Sequence, residues 1–159
     1  MVSVLFVCMG NICRSPSAEA VFRRILQEEN LNKRIRVESA GTHGFHAGET
    51  ADDRAIDFAK RRGIDLSTHI ARQIKMDDFT SFDYLLAMDR RNLALLREYA
   101  PPEHHGKIRL FMEFAPESPE TEVPDPYYGG DAGFELVLDL IEEASRGLLE
   151  EIRQTHLTS

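Results

Sequence analysis

The stretch VSVLFVCMGNICRSPSAEAVFRRIL, Val2 to Leu26, decides the fold. Its first part, Val2 to Cys8, is an apolar run rich in β-branched and aromatic residues, which reads as a buried strand. In its last part Ala18, Val21, Phe22, Ile25 and Leu26 recur at i, i+3, i+4, i+7 and i+8, one apolar face of a helix running to about Asn30. Ser15 is the expected N-cap and Pro16 the first helical residue, where a missing N–H leaves nothing unpaired. Between strand and helix lies a short loop that opens on Cys8 and closes on Arg14.

Outward from this stretch, strands and helices alternate. Ile35 to Ser39 is a second short strand, followed by a loop rich in Gly, His and Ala. Asp52 to Arg62 reads as a helix stopped by Gly63. Asp83 to Met88 is a third strand, and Asp89 caps a helix that carries Leu93 and Leu96 and ends at Pro101-Pro102. Lys107 to Phe111 is a fourth strand. A last helix places Phe134, Val137, Leu138, Ile141, Leu148 and Ile152 on one face. Such alternation predicts an α/β fold whose parallel sheet is covered on both faces. The stretch Glu113 to Gly133 holds four of the seven prolines and little periodicity. A loop of that length inside a compact domain is expected to be functional or disordered.

The bulk composition narrows the class. The chain has 159 residues, 42% of them hydrophobic and 29% charged, enough for one globular domain with a proper core. A net charge of −8 argues against a nucleic-acid footprint, though a locally positive site is compatible with it. No apolar run is long enough for a bilayer, so the expectation is no membrane and a cytoplasmic location. The two cysteines lie close together in one loop and form no disulfide framework.

In a doubly wound sheet, ligands bind at the carboxyl ends of strands, and Cys8 ends the first one. The backbone N–H groups from Met9 through Gly10, Asn11, Ile12, Cys13, Arg14 and Ser15, joined to a helix N-terminus, make an anion cradle. Gly10 and Asn11 tolerate the positive φ that a loop curled around an anion needs. Arg14 can grip two oxygens of a phosphoryl group, and the positive surroundings favour Cys8 as a nucleophilic thiolate. No G-x-x-x-x-G-K-[ST] is present, which excludes a Walker-type nucleotide loop. A leaving oxygen still needs a proton. Asp125, followed by a proline on the long loop, is the best candidate donor; the alternative is an ordinary turn aspartate. Tyr127 and Tyr128 can wall a cleft for an aromatic ring, or simply pack the loop. His43, His46, His104 and His105 lack any metal-ligand spacing and read as exposed loop histidines.

The nine residues from Cys8 to Pro16, the SAG at Ser39 to Gly41, DYLLAMD and the late DPYY together resemble the low-molecular-weight protein tyrosine phosphatases over nearly the whole chain. The resemblance implies a single domain over residues 1–159. Its architecture would be three-layer α/β/α and flavodoxin/Rossmann-like, with a four-stranded parallel sheet and the phosphate-binding loop after the first strand. It implies that Cys8 attacks phosphotyrosine, Arg14 binds the phosphoryl group, and Asp125 protonates the phenol and then activates water. No cofactor and no metal take part. Ser15 matches the hydroxyl that stabilises the thiolate, and Asn11, Ser39 and His69 match a network that supports the loop. Phe45 falls at the cleft rim, where tryptophan is common, and shares the substrate cleft with Ile12, Tyr127 and Tyr128. Cys13 matches a cysteine that can pair with Cys8 and shield it from oxidation. The implied partner is a phosphotyrosine-containing protein, with inorganic phosphate as product. The chain would be a monomer or weakly self-associating, and Tyr127 and Tyr128 could mediate contact or be phosphorylated as a control.

Three rivals fit less well. An arsenate reductase of this fold needs two further cysteines outside the loop, and none follows Cys13. A protein-arginine phosphatase carries threonine where Ile12 stands. A phosphocarrier has no use for Asp125, and a catalytically dead binding module would have lost Cys8, Arg14 or Asp125.

Overall fold

A computed structural model describes residues 1–157, with Tyr128 described by its backbone alone. Strand β1 (Val2–Cys8) is buried along its whole length and lies inside a four-stranded sheet. It pairs in parallel with β2 (Ile35–Gly41) on one side and with β3 (Tyr84–Ala87) on the other. Strand β4 (Ile108–Leu110) adds to β3, also in parallel, so the order is β2-β1-β3-β4. The chain crosses to one side of β1 first and then builds on the other, which makes the carboxyl end of β1 the switch point of the sheet. Cys8 is the last residue of β1.

Both faces of the sheet are covered, which is why β1 is apolar apart from the buried Ser3 and shows no polar alternation. Val4 and Phe6 belong to a core shared with α1 (Arg14–Glu28), α2 (Asp53–Arg61) and α5 (Gly130–His156). Leu5 and Val7 point into a second core, with α3 (Met76–Ser81) and α4 (Arg90–Tyr99). Phe6 packs edge-on against both Phe22 and Phe111, at 5.9 and 5.0 Å between ring centroids. Each such fully buried side chain contributes roughly 1.5–3 kcal/mol relative to exposure. The centre of the sheet is therefore the most rigid place from which to hang a loop.

The four strands and the long helices fall where the periodicity predicts them. Asp52 caps α2 through the N–H groups of Arg54 and Ala55, and Gly63 follows at φ 77°. The differences lie in short elements. The helix α3 has six residues and a single strong apolar anchor, Phe79, so it shows no helical period. Within the proline-rich stretch the chain makes 3-10 turns at Phe111–Phe114 and Pro126–Tyr128, and α5 starts at Gly130. One-turn elements like these leave no repeat to read. The four loop histidines are half-buried, not exposed: His105, for example, holds the Ala100 carbonyl at 3.0 Å.

Helix α5 is drawn tightly onto the end of the sheet. Arg109 of β4 grips both carboxylate oxygens of Glu151 at 3.1 and 2.9 Å. Where α5 crosses the Phe111–Phe114 turn, a Cβ on Gly147 would lie 1.8 Å from the Phe114 carbonyl oxygen. Gly147→Ala is expected to destabilise the protein by about 3 kcal/mol, against less than about 0.5 kcal/mol for Gly106→Ala, whose Cβ would meet open space. Urea denaturation of the two variants checks this.

Candidate active site

The loop after β1 closes on its own first residue. The Asn11 N–H points at Cys8 Sγ at 3.3 Å, and the Ser15 Oγ lies 2.9 Å from the same sulfur. Asn11 adopts the left-handed conformation at φ 58° and is completely buried. Its side-chain amide donates to Ser15 Oγ at 2.8 Å and to Ser39 Oγ at 3.0 Å. Its carbonyl is met by His69 Nε2 at 2.7 Å. An N–H donor and a hydroxyl thus converge on the sulfur, an arrangement suited to negative charge there.

The expectation for Ser15 as N-cap is corrected. The helix begins at Arg14, with Cys13 in the cap position and no side-chain cap bond. Ser15 sits inside the first turn because its hydroxyl is engaged by Cys8 and Asn11. Pro16 stays in that first turn, where N–H groups have no intrahelical partner in any case. The unpaired N–H groups of this turn complete the cradle begun by the loop.

Arg14 closes the other side. It is buried at 6% exposure, and a single nitrogen, Nη1, donates to Asp89 at 2.8 Å and to the Val123 carbonyl at 3.0 Å. Asp89 is shared: its other oxygen accepts the Asn92 N–H at 2.8 Å and caps α4. Burial works against the charge of Arg14, but the charges of Cys8, Asp89 and Asp125 outweigh it and raise its pKa. Burial, reinforced by negative charge at Cys8, pushes the Cys13 thiol well up, so Cys13 stays protonated.

Asp125 arrives through the same clamp. Val123 donates its N–H to the Met88 carbonyl at 2.8 Å and accepts from Arg14, two residues before Asp125. Asp89, Val123 and Asp125 line one cavity of about 330 Å³. Asp125 is exposed, and one of its oxygens accepts the Tyr127 N–H at 3.0 Å; its charge is felt by both Cys13 and Arg14. It is therefore a turn aspartate and a neighbour of the loop at once.

Two aromatic residues outside the loop, Phe45 and Tyr127, are exposed. Phe45 is 74% exposed and stacks on His43 at 5.1 Å, while the next residue but one after Asp125, Tyr127, is 72% exposed. Met9 is exposed and Ile12 half-buried, its carbonyl accepting the Asp52 N–H at 2.8 Å. The Tyr128 side chain lies outside the described residues. The larger groove, about 770 Å³, does not open over Cys8; it runs behind the loop, bordered by Glu19, Ser39, His69 and Arg72.

Three participants escape a reading of the sequence. Glu19 accepts from Ser39 Oγ at 2.6 Å, and only its i+4 spacing from Ser15 on α1 hints at this. Arg72 donates its backbone N–H to Asn11 Oδ1 at 2.9 Å, and Val123 offers its carbonyl to Arg14. Main-chain contacts made across the fold carry no side-chain signature.

The family model for low molecular weight phosphotyrosine protein phosphatase matches residues 3–157. The human low molecular weight phosphotyrosine protein phosphatase is 44% identical over 151 residues, covering 94% of each chain. The solved protein tyrosine phosphatase from Entamoeba histolytica superposes with a TM-score of 0.93 at 40% identity, over 97% of this chain and 98% of that one. The crystal structure of YfkJ from Bacillus subtilis gives 0.93 at 39% identity, over 98% and 97%. A nucleophile-bearing loop at the switch point of a parallel sheet defines the class, a hydrolase with cysteine-based chemistry. The chain belongs to the low molecular weight protein tyrosine phosphatases.

Limiting iodoacetate at about pH 7 is expected to modify Cys8 and spare Cys13, whose buried thiol stays protonated. Peptide mapping by mass spectrometry checks this; preferential labelling of Cys13 would contradict the electrostatics described.

Proposed function

We propose that the chain hydrolyses phosphotyrosine in proteins, and aryl phosphates generally, through a phosphocysteine at Cys8. The observation that carries this reading is the convergence of the Asn11 N–H and the Ser15 hydroxyl on Cys8 Sγ, in a loop closed by a clamped Arg14. In the first step the Cys8 thiolate attacks phosphorus and the bond to the phenolic oxygen breaks. Asp125 gives its proton to that oxygen. Among the described residues the bonds of Arg14 run from Nη1, which leaves Nε and Nη2 to offer. These, with the N–H groups from Met9 to Ser15, hold the non-bridging oxygens as charge builds on them. In the second step Asp125 takes a proton from water, the water oxygen attacks phosphorus, and the P–S bond breaks. Inorganic phosphate leaves and the thiolate returns. No step calls on a metal or a cofactor.

The cleft residues choose the substrate. Ile12 offers an apolar wall, and Phe45 and Tyr127 flank the mouth with exposed rings, a setting for a phenyl group over a guanidinium. Cys13 stands as the partner that condenses with an oxidised Cys8 sulfenic acid, releasing water and sparing it further oxidation. The net charge of −8 argues against nucleic acid and is compatible with a phosphoprotein partner met at a locally positive site. Among the described residues no helix is long and apolar enough to cross a membrane, which supports a cytoplasmic site of action. The chain acts as one phosphatase domain, monomeric or weakly self-associating.

Hydrolysis of p-nitrophenyl phosphate with chelator present tests the reading. Wild type should turn over, Cys8→Ser should abolish activity, and Asp125→Ala should lower kcat by about 10²–10⁴. A phosphotyrosine peptide should be preferred to a phosphoarginine peptide. Activity that survives Cys8→Ser would overturn the mechanism.

A further inference from the structure

The hydrogen bond onto Cys8 has a direction, and that direction is set outside the loop. Asn11 has an amide with two unlike ends: Oδ1 only accepts and Nδ2 only donates. The backbone N–H of Arg72 meets Oδ1 at 2.9 Å, so Nδ2 must face the two hydroxyls of Ser15 and Ser39. Each hydroxyl, having accepted from Asn11, turns its own hydrogen elsewhere. Ser39 gives its hydrogen to Glu19 at 2.6 Å, and Ser15 has Cys8 Sγ at 2.9 Å. A reversed amide would set two N–H donors against each other at Arg72 and turn the hydroxyl hydrogens inward, away from the sulfur.

The Arg72 side chain is one of the anchors that hold its backbone in place, beside main-chain bonds of its neighbours Ala71 and Ile74. The guanidinium grips Asp78 through two bonds, at 3.0 and 3.1 Å, and reaches Glu38 at 3.4 Å. Asp78 is 2% exposed and also accepts the Lys75 N–H at 2.9 Å, which caps α3. The Arg72 carbonyl in turn accepts the Gly41 N–H at 2.8 Å, tying the segment to the end of β2. We propose that the Arg72–Asp78 ion pair is a positioning device for the reaction. It presses the main chain of residue 72 against Asn11 and thereby orients the Ser15 hydroxyl toward Cys8. Neither residue touches the sulfur or the phosphoryl site. The inference rests on the reading of Cys8 as nucleophile, but it can be tested without turnover.

The variants are Arg72→Ala, Asp78→Asn and the conservative Arg72→Lys, with Ile152→Val in the core of α5 as a control for lost stability alone. The measured quantity is the rate of Cys8 alkylation by iodoacetate at about pH 6, beside kcat and KM for p-nitrophenyl phosphate. Apart from the substituted residue, the charged and titratable groups around the loop, Arg14, Cys13, Asp52, Asp89, Asp125, His69 and Glu19 among them, are the same in every variant. Arg72→Ala and Asp78→Asn should each slow alkylation and lower kcat by about tenfold, with a smaller change in KM. Arg72→Lys, which keeps a charged donor for Asp78, should recover most of both. Ile152→Val should lose stability and alkylate at the wild-type rate. Should Asp78→Asn fail to fold through loss of the α3 cap, Arg72→Ala and Arg72→Lys decide the matter, since Arg72 caps no helix. A folded Arg72→Ala that alkylates as fast as wild type overturns the inference. A wild type that alkylates but does not turn over the ester would refute the proposed function and leave the alkylation comparison standing.

Discussion

The site depends on one residue held in an unfavourable conformation. Asn11 lies at φ 58°, a region that costs a non-glycine residue on the order of 1 kcal/mol. It is also wholly buried, where an unpaired amide would cost about 1–3 kcal/mol more. Both costs are offset because every polar group of Asn11 is engaged. The backbone N–H goes to Cys8 and the carbonyl to His69; the side-chain oxygen takes Arg72, and the nitrogen takes Ser15 and Ser39. Replacing a partner strips a buried polar group of Asn11 of one of its bonds, so the set as a whole favours this one arrangement of the loop. That is the preorganisation that electrostatic stabilisation of a transition state requires.

The sheet makes this economical. Because β1 is packed on both faces, its carboxyl end does not move, and the loop inherits that rigidity. The opposite wall of the site comes from a proline-rich connection with only one-turn helices. Arg14 joins the two. Its buried pair with Asp89 is better understood as orientation than as stability, since desolvation consumes much of what such a pair gains. The same guanidinium nitrogen holds Val123, and so the group that shapes the anion site also anchors the chain that delivers Asp125.

The phosphatase activity is thus concentrated in a locally positive cradle on a chain of net charge −8. The positive character comes from one buried guanidinium and from N–H groups at a helix start, both of which act at short range. The surrounding acidic surface leaves that field intact while disfavouring nucleic acid.

Much of this was legible in the chain itself. The apolar run of β1, the Cys8–Arg14 loop, the helical period after it and the cap at Asp89 are local, and local patterns determine local structure. The resemblance carried by Cys8 to Pro16 and by DPYY named Asn11, Ser15, Ser39, His69 and Asp125 as participants. Their mutual geometry was not legible. Ser15 reads as a helix cap and is in fact turned onto the cysteine, because a tertiary contact with Asn11 outcompetes the local preference. Glu19, Arg72 and Val123 enter through partners 20, 61 and 109 positions away in sequence, two of them by main-chain atoms that every residue possesses. The sequence by itself therefore singled out the candidate groups, Cys8, Arg14 and Asp125, and the kind of sheet that carries them. Only the tertiary structure decided which way the hydrogen bonds run and what holds Asp125 beside the loop, because direction and proximity arise when distant segments share one buried space.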